Sequence, residues 1–137
     1  MTILEQIARF LQAKELGFFD ADGTKGTIFI HSMPSDPHNA IAIYATGGGL
    51  SELMDQDGDV IRRDVQILVR GLNSKETFER TYRVYRTLHN FCGYLVTNGN
   101  YVSSLFSYPP SGIGTDQNGR YEFTINLSLR MEELSNG

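Results

Sequence analysis

Tyr121-Glu122-Phe123-Thr124-Ile125-Asn126-Leu127-Ser128-Leu129-Arg130 alternates apolar and polar side chains without a break. Successive side chains of a strand point to opposite faces, so this run predicts a long strand, buried on one side and wet on the other. A sheet with one wet face must find cover for its dry one. Two amphipathic helices are available to supply it. Asn73-Ser74-Lys75-Glu76 opens the longer helix with a capping pattern, and Phe78, Tyr82, Tyr85, Leu88, His89 and Cys92 line one face after it. Val84 and Phe91 widen that apolar arc to about half the circumference. Glu76 and Glu79 stand four residues ahead of Arg80 and Arg83, the favourable order for helix ion pairs. Thr2 and Glu5 make a capping box for the other helix, whose apolar face carries Ile3, Leu4, Ile7, Phe10 and Leu11. Gly17 stands where a left-handed stop is expected, which predicts a helix from Ile3 to Leu16.

The remaining strands are shorter. Thr27-Ile28-Phe29-Ile30-His31 and Ala40-Ile41-Ala42-Ile43-Tyr44-Ala45 flank a stiff turn holding Pro34 and Pro37, neither of which can donate to a ladder. The second of these is apolar on both sides, as an interior strand is. Val65-Gln66-Ile67-Leu68-Val69-Arg70 makes a third strand. Residues 94–97 and 101–107 read as a hairpin around Asn98-Gly99. Pro109-Pro110 closes it, and a glycine-rich loop is expected over residues 109–119. The order helix, strands, helix, strands predicts an α+β sandwich: a mostly antiparallel sheet with two α-helices packed on one face.

The chain has 137 residues, read as a single domain over residues 1–137. Its folded surface is roughly 7,000 Å² against roughly 22,000 Å² extended, so one core forms without staples. A hydrophobic share of 40% and a charged share of 20% exclude both a disordered chain and a membrane bundle. No apolar run approaches the ~20 residues of a spanning helix. The start, MTILEQIARF, lacks a basic-then-apolar signal pattern, which argues against secretion. One cysteine, Cys92, forbids an intrachain disulfide. Twelve Lys and Arg against sixteen Asp and Glu give a net charge of −4, so no dominant basic field exists to hold nucleic acid. Glu52, Asp55, Asp57 and Asp59 account for the imbalance: sixteen acids minus these four equal the twelve bases. They follow Gly47-Gly48-Gly49, and residues 46–63 are expected to form a mobile acidic loop.

The constellations that could carry chemistry fall short. Asp55-Gln56-Asp57-Gly58-Asp59 has the look of a calcium loop, but an EF-hand needs glycine sixth and glutamate twelfth. Here Gly58 is fourth, Val60 sixth and Gln66 twelfth. His31, Asp36 and His38 do not complete a metal shell, with Pro34 and Pro37 between the histidines. His89 is expected as a hydrogen-bonded core histidine, and Cys92 as a small buried hydrophobe. Gly47-Gly48-Gly49 lacks the Lys-Ser/Thr ending of a phosphate loop. Arg80, Arg83 and Arg86 form a basic strip that Glu76 and Glu79 share, as on a solvated or subunit-contacting surface. No acid, base and nucleophile assemble, so no catalytic residue, cofactor or metal is expected. The readings left beside an assembly protein are a small-ligand module and a metal-dependent enzyme.

Read in order, several segments resemble one family. Residues 27–30, the Met33-Pro34-Ser35-Asp36-Pro37-His38-Asn39 turn with the strand after it, and Thr46-Gly47-Gly48 are similar to the N-terminal half of bacteriophage minor capsid proteins of the tail-terminator type. Val65 to Gly71 resembles the family's middle strand with its Arg-Gly ending, Leu88-His89 the close of its second helix, and residues 114–123 its last turn and strand. The resemblance implies a structural virion protein, made in the cytoplasm of a bacterial host. It implies a homo-oligomeric ring, usually of six copies, that caps the tail tube, ends its polymerisation and meets the head connector. DNA is then passing cargo, and no membrane is involved. The acids Glu52, Asp55, Asp57 and Asp59 and the arc residues Val84 and Phe91 are the candidate contacts. Val84 and Phe91 are expected in a subunit or intra-domain contact rather than bare.

Overall fold

The computed structural model describes residues 1–22, 25–46 and 60–132. Two helices, α1 (Ile3–Ala13) and α2 (Ser74–Leu88), join seven strands: β1 (Ile28–Ile30), β2 (Ala40–Ala45), β3 (Val60–Gly71), β4 (Gly93–Tyr94), β5 (Tyr101–Ser107), β6 (Ser111–Thr115) and β7 (Tyr121–Glu132). The strands form one sheet in the order β1-β2-β3-β7-β5-β4, with β6 also on β7. Its centre is the twelve-residue pairing of β3 with β7, in which Ile67 faces Ile125 and Val65 faces Leu127. Ile41, Ile43, Val65, Ile67, Val69, Ile125, Leu127 and Leu129 turn one way and share a core with Ile7 and Leu11 of α1 and Val84 and Leu88 of α2. The predicted α+β fold is the observed one. No helix among the described residues is long and apolar enough to cross a membrane.

The sheet is mixed rather than purely antiparallel, because β1 and β2 run parallel. Residues 31–39, read from the sequence as a stiff turn, make that crossover without a helix. Two buried arginines hold it against the outer face of the sheet. Arg70 donates to the carbonyls of Pro37 and His38, and Arg120 donates to that of Ser35. Gly71, next to Arg70, lets the first turn of α2 approach the sheet: a Cβ there would lie 2.1 Å from Thr77 Oγ1. The Arg-Gly ending of β3 thus fastens a loop on one side and admits a helix on the other.

Several boundaries differ from the sequence pattern. Helix α1 stops at Ala13, three residues early, and Glu15 takes the left-handed conformation assigned to Gly17. Gly17 serves a different need, since a Cβ there would meet Ile28 Cγ1 at 2.7 Å. Strand β3 begins at Val60, so residues 60–63 belong to the sheet and not to the acidic loop. The expected 109–119 loop contains β6, whose two glycines gave no strand signal. Helix α2 ends at Leu88, and the positive φ of Asn90 turns the chain away. Cys92 therefore leaves the helix face and is exposed, its Sγ 3.3 Å from the Tyr101 hydroxyl, rather than a buried hydrophobe.

Candidate assembly interface

The buried stripe of α2 is Thr77, Thr81, Val84 and Leu88. The sequence pattern had placed it over Phe78, Tyr82 and Tyr85. Two hydroxyls make the rotation possible: Thr77 donates to the Asn73 carbonyl at 2.6 Å and Thr81 to the Thr77 carbonyl at 2.7 Å. A polar group satisfied within its own helix costs little to bury, and small side chains let the helix sit close to β3 and β7. The bulky rings are displaced to the flank.

There they form a continuous band. Phe78 packs edge-on against Phe123 of β7 at 5.5 Å and stacks toward Tyr82 at 6.3 Å. Tyr82 meets Tyr85 at 5.5 Å, Tyr85 stacks on His89 at 5.2 Å, and His89 meets Phe106 of β5 at 5.3 Å. Phe106 and Tyr108 then pack at 4.9 Å. Phe78, Tyr82, Phe106 and Tyr108 remain 44%, 42%, 49% and 58% exposed. With aromatic side chains presenting 150–250 Å² each, these four rings leave roughly 400 Å² in the open. The largest exposed apolar patch of a monomeric protein is about 300–600 Å² and is often functional. Arg86 lies over the Tyr82 ring at 5.9 Å, and exposed Arg83 stands beside it.

The band is fixed to the sheet edge. Residues 105–107 of β5 lie beyond the short pairing with β4, so their outer edge needs partners. The end of α2 provides them: Asn90 N–H donates to the Leu105 carbonyl at 2.8 Å, and Ser107 N–H donates to His89 Nδ1 at 3.1 Å. His89 is half-buried, and its ring both closes the edge and links the helix rings to Phe106. Such closure protects an edge strand from foreign pairing while leaving the side chains above it free.

The residues singled out from the sequence are placed as follows. Val84 is fully buried within the chain and packs in the core shared by α1, α2 and the sheet, an intra-domain contact. Phe91 is half-buried and packs edge-on against Phe10 of α1 at 5.0 Å, an intra-domain contact. Glu52, Asp55, Asp57 and Asp59 lie outside the described residues. Sequence reasoning missed Phe106 and Tyr108; the signal was there in their spacing, which puts aromatic side chains two apart at the end of a strand. His31, Asp36 and His38 are not part of any metal-holding group, and no three His, Cys, Asp or Glu side chains gather for one among the described residues. A hollow of 780 Å³ between α1 and residues 94–98 is lined by Arg9, Ala13, Tyr94 and their neighbours. Elsewhere, the hydrogen bond with Cys92 raises the Tyr101 pKa, and burial lowers that of Arg80 and raises that of Tyr44.

The described residues make an α+β domain with an exposed band of aromatic side chains joining the flank of α2 to the β5 edge. Residues 10–133 match the model of the bacteriophage tail terminator protein family, and the chain belongs to that family. It is thus a structural virion protein, which assembles with other tail and head components. Among solved structures, a chain of the "Virion of native gene transfer agent (GTA) particle" shares the fold, with a TM-score of 0.65 and 15% identity. That match covers 93% of this chain and 92% of the other. No curated protein matches the chain significantly.

Proposed function

We propose that this subunit forms a ring of six copies that caps the tail tube, ends tube polymerisation and joins the tail to the head connector. The exposed aromatic band carries the reading. Exposed apolar patches of this size are often functional, and a ring subunit would bury such a surface against its neighbours. Membership in the tail terminator family supports the same reading. The acids at 52, 55, 57 and 59 are assigned to contacts with a neighbouring subunit, the tube or the connector. An acidic ring around passing DNA would not retain the polyanion, and the net charge of −4 suits that passage.

Imaging of isolated tails, together with a nonsense mutant of this gene, tests the proposal. The expected result is a ring of this chain at the head-proximal end of normal tails. The mutant is expected to give tails of irregular length that join no heads. A single asymmetric copy at the neck, or mutant tails of normal length that join heads, would overturn it.

A further inference from the structure

Two Asn-Gly pairs lie among the described residues, Asn98-Gly99 and Asn118-Gly119, each in a turn between strands. This dipeptide carries a reaction of its own. The backbone nitrogen of the glycine, after losing its proton to hydroxide, attacks the asparagine Cγ, and no side chain on the glycine crowds the approach. The new N–C bond closes a five-membered succinimide ring, while the side-chain amide nitrogen takes up a proton and leaves as ammonia. Water then opens the ring at one carbonyl or the other, leaving aspartate or isoaspartate. No electron is transferred, and water is the co-reactant.

Ring closure swings the Asn–Gly peptide plane, so whatever holds that plane governs the rate. At the first pair it is walled in. Gly99 is buried, and a Cβ there would lie 2.4 Å from Gln6 Oε1 and 2.9 Å from Val96 Cγ2. Gly99 N–H donates to the Val96 carbonyl at 3.1 Å, and the next N–H, that of Asn100, donates to the same Gln6 oxygen at 3.0 Å. Closing the ring there breaks a buried network. The second pair is open. Asn118 and Gly119 are both exposed, and a Cβ on Gly119 would meet nothing within 4 Å. Gly119 N–H donates to the Asp116 carbonyl at 3.1 Å and Asn118 N–H to Asp116 Oδ1 at 2.9 Å. Water replaces such exposed turn bonds at little net cost.

We propose that Asn118 is a site of spontaneous succinimide formation and deamidation in the folded protein, and that the packing around Gly99 shields Asn98. The product adds a carboxylate beside Asp116, whose side chain holds Arg120, which in turn holds the crossover at the Ser35 carbonyl. The test ages the full chain in mildly alkaline buffer, once folded, with circular dichroism confirming the fold, and once in concentrated urea. Fragment masses then localise each amide-to-acid exchange. In the folded chain Asn118 is expected to convert at least roughly tenfold faster than Asn98, because a buried network opens far more rarely than an exposed turn. In urea the two rates are expected to converge. Asn98 keeping pace with Asn118 in the folded chain, or Asn118 staying unchanged there while the urea sample converts, would overturn the proposal. A difference that persists in urea would overturn it too, since flanking sequence rather than the fold would then set the rates.

Discussion

Gln6 and Asn100 lie 94 residues apart and complete each other's hydrogen bonds inside the fold. Gln6 Nε2 donates to Asn100 Oδ1 at 2.7 Å, and the Asn100 N–H returns a bond to Gln6 Oε1 at 3.0 Å. Asn100 Nδ2 reaches on to the Glu132 carbonyl at the end of β7, so one pair ties α1, the β4–β5 turn and the last strand together. Replacing Gln6 by leucine keeps the volume but leaves a buried donor and acceptor unmade. Gln6→Leu is expected to cost about 2–3 kcal/mol, read as a lower urea midpoint at unchanged slope. Asp116 makes a pH-dependent counterpart. Its carboxylate accepts the Arg120 backbone N–H, the Asn118 N–H and the buried Arg120 guanidinium at 2.8 Å, and the first of these does most to lower its pKa. A depressed folded pKa means the ionised group stabilises the fold above the unfolded value of about 3.9. That contribution is lost as pH falls through the lower folded value. Asp116→Asn should therefore be less stable than wild type at pH 6, with the gap narrowing below about pH 4 in a series of thermal melts.

Helix α2 shows what a sequence pattern reveals about an element and what it hides. Its existence, its Asn73 cap and its amphipathic character were legible, because capping and periodicity are local properties. Its rotation was not. A hydrophobicity pattern ranks Tyr82 above Thr81, yet the threonine is buried, since backbone carbonyls of the same helix satisfy its hydroxyl. The central strands were read for the same local reasons, and β7 was found nearly to its ends. The parallel partnership of β1 and β2 escaped, since the arginines that hold the crossover, Arg70 and Arg120, act across 32 to 85 residues. The candidate contacts followed the same division: Val84 lies on the inner side of α2, and Phe91 lies beyond the helix end, packed on Phe10 of α1. Gly71 gives this packing a test. The Cβ of Gly71→Ala would lie 2.1 Å from Thr77 Oγ1 and 2.9 Å from Asn39 Oδ1. The variant is expected to lose about 1–3 kcal/mol as α2 is pushed from the sheet. Thr77→Ala in the same chain should recover part of the loss, and a double-mutant cycle would report that coupling.

The molecule as a whole divides its charge unevenly, and the division bears on assembly. With sixteen acids and twelve bases, removing Glu52, Asp55, Asp57 and Asp59 leaves twelve of each, so these four account for the whole net charge of −4. The core draws its strength elsewhere, from the β3–β7 centre of the sheet and the faces of α1 and α2. On the proposed reading the four acids serve contacts rather than the core, and changing them should spare stability. Replacing Glu52 by Gln and the three aspartates by Asn is expected to shift the melting temperature by no more than about 5 °C, since surface substitutions usually stay within about ±0.5 kcal/mol each. The same variant should join heads to tails several-fold less efficiently, because the proposed contact with a basic partner surface would lose its four carboxylates. Raised salt should weaken wild-type joining in parallel, since exposed charge pairs are screened within a Debye length of about 8–10 Å. The neutral variant, with no such pairs to screen, should lose less of its joining over the same salt range. Equal joining by the two proteins at low salt would show that these acids meet no charged partner.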